Sequence, residues 1–167
     1  YVMGPSTPVV AAWDEQGMDV PSFVAERDGH YLASVERGRY QGVTQTHDVE
    51  FDLGASVVGH EAIYLLAHGW VYPTDSSINL AIGQGNHPAP MGIALEAKDE
   101  SGTWQLVHPD LGFPAGKNKT IVVEVTRLPD GSLPRHFRFR TNLEVYWDWI
   151  GYGPQLEDRE SESIRLD

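Results

Sequence analysis

The chain is predicted to be an all-β protein, an antiparallel β-sandwich of jelly-roll type with an extended N-terminal arm. Three observations carry this. Short runs rich in Val, Ile, Phe, Tyr and Thr recur along the chain. Several of them alternate apolar and polar residues, the signature of a strand with one buried face. The 17 glycines and 11 prolines lie between the runs as punctuation and do not gather into a linker.

In chain order, residues 1–27 read as the arm, 28–153 as the sandwich, and 154–167 as a charged tail or the start of a further segment. His47 to Leu53 sets Val49, Phe51 and Leu53 on one face and Asp48, Glu50 and Asp52 on the other. Ile63 to Ala67 and Ile78 to Ile82 are continuous apolar runs, expected as central strands covered on both faces. Met91 to Leu95 and the Leu106 region add strands, with Asp99 to Thr103 as the hairpin tip before Trp104. Thr120 to Thr126 is β-branched almost throughout. Pro129-Asp130-Gly131 is a turn. Arg135 to Arg140 and Leu143 to Ile150 alternate again, and strict alternation in the latter puts Trp147 and Trp149 on one face. No repeat of propeller or solenoid length is present.

The 167 residues fit one domain with a sizeable core. A net charge of −12 opposes phosphate-backbone binding, and neither Lys117/Lys119 nor Arg135, Arg138 and Arg140 makes a large basic patch, so nucleic acid is not an expected partner. No cysteine is present, which excludes disulfides, thiolate metal sites and a cysteine nucleophile. The longest apolar runs are far too short for a membrane helix. The chain opens on Tyr1, without the charged and apolar regions of a signal peptide, and reads as a piece or processed product of a longer protein.

Three ordered segments are distinctive: Leu65 to Gly85, which contains Ala67-His68-Gly69-Trp70-Val71-Tyr72-Pro73-Thr74-Asp75; Leu111 to Thr120; and Arg140 to Asp148. Together they resemble the C-terminal region of large bacterial proteins that carry FG-GAP repeats and an ASPIC/UnbV segment, sometimes with tetratricopeptide repeats. The likeness spans roughly Asp28 to Tyr152. It implies export, hence a periplasmic or extracellular location. The calcium-binding propeller loops of such proteins have no counterpart here, and the resemblance carries over no catalytic residues.

Candidate chemistry is sparse. Asp48, Glu50 and Asp52 share a strand face and offer oxygen ligands for Ca²⁺, or the two carboxyls of a glycoside hydrolase-like site. A solvated strand face is the plainer and favoured reading. Trp70, Tyr72, Thr74, Asp75, Ser76 and Asn79 combine aromatic rings with oxygen groups in one loop, a pattern that grips a sugar or another protein. The plainer reading is a structured turn in which Asp75 and Ser76 satisfy local backbone groups. His60, His68, His87, His108 and His136 show no metal-ligand spacing. The Gly83-Gln84-Gly85 and Gly116 to Thr120 runs match no phosphate-binding loop. The expected function is a non-catalytic binding or assembly module of an exported protein, or an accessory subunit of an envelope or membrane-associated complex that contacts other protein subunits. A carbohydrate-binding module is the alternative, with a glycan as ligand, and a hydrolase-like site follows it.

Overall fold

Alternation and turn chemistry produce two antiparallel sheets. The computed structural model describes residues 3–33, 35–112 and 117–156. Its strands are β1 (Thr7–Pro8), β2 (Ala11–Trp13), β3 (Val43–Asp52), β4 (Ala62–Val71), β5 (Ala94–Lys98), β6 (Trp104–His108), β7 (Lys119–Thr126), β8 (His136–Leu143) and β9 (Val145–Pro154). One helix, α1 (Ser76–Gln84), follows β4.

The four-stranded sheet runs β1-β9-β4-β7 and the five-stranded sheet β2-β3-β8-β5-β6. Successive long strands cross between the sheets, and β5 with β6 is the hairpin predicted at Asp99–Thr103. This is the jelly-roll order, with β2 added at one edge. The N-terminal arm is extended and feeds both sheets: β1 pairs with β9, and β2 pairs with β3. The tail beyond Leu156 lies outside the described residues.

Inward residues of both sheets fill the core. Phe51, Phe137, Phe139 and Trp147 stack in its centre, with Phe51 and Phe139 centroids 4.9 Å apart and Phe139 and Trp147 also 4.9 Å apart. Ile63, Leu65, Ile93, Leu95, Val125 and Ile150 surround them. Aromatic pairs at this spacing add to the burial of their area.

Two elements depart from the sequence expectation. Ile78 to Ile82 is helix, not strand. Asp75 caps it, accepting the Ile78 N–H at 2.8 Å. Ile78 and Ile82 then fall four apart on one helical face, and Ile82 is buried. A short apolar run fits both periods, and the cap decides between them.

The second departure is in β9. Along β4, His68 pairs with Trp149 but Gly69 pairs with Trp147, so Asp148 is an extra residue. This β-bulge reverses the alternation. Trp147 and Ile150 face the core, while Trp149 joins His68 on the outer face. The two tryptophans therefore occupy opposite faces.

Gly69 makes the bulge possible, because a Cβ there would lie 2.2 Å from the Tyr146 carbonyl oxygen. Gly69→Ala is expected to destabilise the protein by about 2 kcal/mol or more, read from the urea midpoint. Trp147→Ala, which empties the core's largest fully buried side chain, is expected to cost about 3–5 kcal/mol in the same assay.

Candidate functional site

The loop singled out by sequence is split by the fold into two places. Its latter part builds a pocket at one end of the sandwich. This pocket, about 580 Å³, is lined by Val71, Tyr72, Pro73 and Thr74 from the end of β4, by Asn79, Ile82 and Gly83 from α1, and by Gly42, Ala89, Pro90 and Leu143. The walls are mostly apolar, with Thr74 and Asn79 as polar groups. Asp75 is spent on the helix cap and on the Ser77 hydroxyl, and Ser76 is the exposed first residue of α1.

A buried carboxylate frames this end. Glu144 accepts the Gly42 N–H and the Tyr146 O–H, and its Oε1 lies 3.3 Å from Arg37 Nε. Backbone bonds from Tyr72 N–H to the Glu144 carbonyl (2.9 Å) and from Glu144 N–H to the Gly42 carbonyl (3.1 Å) complete the tie. Burial, then the bond to Glu144, pushes the Tyr146 phenol above its ordinary range.

Trp70 lies elsewhere, on the outer face of the four-stranded sheet. It stacks on Tyr146 (4.6 Å, 10°), Tyr31 meets both rings edge-on, and Tyr72 tilts against Trp70 at 5.7 Å. Beside this cluster, His68 Nδ1 lies 2.9 Å from Thr120 Oγ1 and its Nε2 lies 4.0 Å from Asp148 Oδ2. The row of hydroxyl, imidazole and carboxylate has the order of a catalytic triad, but 4.0 Å exceeds a hydrogen bond. Asp148 is instead committed to the Gly29 N–H at 2.8 Å, and holds residues 27–31 over the sheet. Arg27 lies over the Trp149 ring at 4.7 Å. Sequence reading left Tyr31, His68 and Asp148 without a role. His68 and Asp148 come together only once β4 and β9 are in register, and Tyr31 only when its segment is held over that sheet.

The acidic strand face takes a different part from the one expected. Asp48 accepts from Arg138 and Arg140 on β8. Glu50 lies beside His136 (3.1 Å) and Lys98 (3.9 Å), and Arg138 also reaches Glu96 on β5. Asp52 accepts the Gly54 N–H and lies 3.9 Å from Arg135. The three carboxylates thus face cations from neighbouring strands and form a cross-strand charge ladder. Among the described residues, no three His, Cys, Asp or Glu side chains come together to hold a metal ion.

No protein-family model matches the chain, and no curated protein matches it. The fold, the end pocket and the aromatic cluster define it as a jelly-roll β-sandwich with an apolar end pocket and an aromatic outer face.

Burial, then repulsion from Arg27, holds the His68 imidazole below its ordinary 6.5, against an opposing pull from Asp148. Imidazole titration by NMR is expected to place its midpoint below 6.5, with Arg27→Ala moving it up and Asp148→Asn moving it further down. The unfolded chain binds a proton near 6.5 that the folded chain takes only at lower pH. The stability His68 contributes is therefore full above about 6.5 and declines as the pH falls from there toward the folded midpoint.

Proposed function

We propose that this chain is a non-catalytic binding and assembly module of an exported protein or envelope complex, with the end pocket as its docking point. The pocket carries the reading. Its size lies within the range of specific binding sites, and its apolar walls with a few polar groups are their usual make-up. A single well-buried apolar anchor supplies much of the energy of a protein contact. The loop that builds it lies within the stretch that resembles exported multi-repeat proteins, which supports a role as one module among others. The N-terminal arm is used up on the edges of the module's own sheets and does not serve as the docking element.

Gly83 gives a clean test, because a Cβ there meets nothing within 4 Å. Gly83→Trp places an indole on the pocket wall at a position that tolerates a side chain. We expect the protein carrying this change, expressed in its native source, to keep its thermal midpoint within about 2 °C and to lose the polypeptides that co-elute with the unaltered protein in fixed ratio. If the unaltered protein elutes alone, or Gly83→Trp keeps the same partners in the same ratio, the reading is wrong.

A further inference from the structure

The outer face of the four-stranded sheet carries a second cleft, independent of the end pocket. It is about 320 Å³ and is lined by Tyr31, Trp70, Lys117 and Asn118. These residues come from three separate parts of the chain. Trp70 is on β4, Tyr31 is in the segment that Asp148 holds down, and Lys117 and Asn118 lead into β7.

The walls are rigid. Tyr146 stacks on Trp70 and fixes the plane of its ring, and Tyr31 stands edge-on to it at 6.4 Å. The Tyr31 hydroxyl donates to Asn118 Oδ1 at 3.0 Å, which anchors the Asn118 side chain. The Asn118 Nδ2 donors have no partner among the described residues. Asn118 also has a φ of +37°, in the left-handed region that asparagine tolerates better than most residues.

Charge singles out the same face. The chain carries −12, so its cations are scarce. Among the described residues, Arg37, Lys98, Arg127, Arg135, Arg138 and Arg140 each have a carboxylate within 4.0 Å. Arg27, Arg39, Lys117 and Lys119 have none among the described residues. Two of these four belong here: Arg27 over Trp149 and Lys117 in the cleft, whereas Lys119 has the inward parity of Ile121 and Val123 on β7. Two of the four described cations without a carboxylate partner thus stand on the face that carries the aromatic cleft.

We propose that this cleft binds an acidic saccharide, a chain containing hexuronate residues. The C–H face of a pyranose ring packs on an aromatic wall. Hydroxyls accept from the free Asn118 amide. The carboxylate meets the Lys117 ammonium in a charge-assisted hydrogen bond. A neutral sugar leaves the lysine unused, and an acidic peptide leaves the aromatic wall unused.

The test is isothermal titration of the folded protein with tetragalacturonate, with cellotetraose as the neutral probe and hexaglutamate as the acidic peptide. Saturable binding of tetragalacturonate is expected, weakening as salt rises and at least tenfold tighter than either control. Lys117 is exposed, so Lys117→Gln should leave the fold intact while lowering affinity about tenfold. Lys98→Gln, which removes a cation paired with Glu50 on the opposite sheet, should not lower it. Gly83→Trp should also bind the saccharide normally, so failure of the end-pocket reading and failure of this one are distinguishable. The proposal is overturned by absent binding, by equal binding of cellotetraose or hexaglutamate, or by an unchanged affinity in Lys117→Gln.

Discussion

One extra residue in β9 decides what each face of the smaller sheet presents. Without Asp148 as the bulge, strict alternation would put Trp147 and Trp149 on the same side, and the core would have to hold both or neither. The bulge sends Trp147 inward against Phe139 and Trp149 outward beneath Arg27. It leaves the Asp148 carboxylate buried, where it accepts the Gly29 N–H and pins the segment that carries Tyr31. The outer cleft therefore depends on the bulge, and the bulge depends on Gly69, since no other residue lets the Tyr146 carbonyl approach so closely.

The end pocket has a different dependence. Gly42 takes a φ of +79°, and a Cβ there would lie 2.5 Å from the Tyr72 carbonyl oxygen. That close approach lets Glu144 accept the Gly42 N–H while Arg37 and Tyr146 satisfy its other oxygen. A buried carboxylate costs much unless it is fully paired. Here three different groups pair it, and together they hold residues 37–42 against the β4–β9 pair. Tyr146 also backs Trp70, so one side chain braces both the pocket frame and the cleft wall.

The strands were legible in the sequence because their alternation survives in the buried pattern, as Val49 and Phe51 show on β3. The helix was not, because Ile78 to Ile82 fits a strand until Asp75 is recognised as a cap. The bulge was not legible, because Leu143 to Ile150 reads as a regularly alternating strand in which Asp148 takes an ordinary outward place. Tyr72, Thr74 and Asn79, singled out in sequence as ligand- or partner-binding residues of one continuous loop, line the end pocket together. Tyr31 and Asn118 were not, because they meet across 87 positions and only strand pairing brings them together. Asp48, Glu50 and Asp52 were correctly placed on one outward face, but the β8 arginines opposite them could not be assigned before the register was known.

The two sheets differ in how they treat charge, and this argues for where binding resides. On the five-stranded sheet, acids on β3 and β5 meet bases on β8, and even the ring of Trp104 is covered by Arg138 at 4.4 Å and Lys98 at 4.6 Å. Such a face is largely satisfied by its own neighbours, and a ligand would have to displace them. Among the described residues, the four-stranded sheet leaves Asn118 donors and the cations Arg27 and Lys117 without a partner beside rigid rings, and its adjoining end opens into an apolar pocket. Unsatisfied groups on an exposed face cost little in water but gain much when a complementary ligand removes that water. The smaller sheet and its adjoining end are thus where this fold has free energy available for recognition, while the larger sheet serves to hold the strands in register.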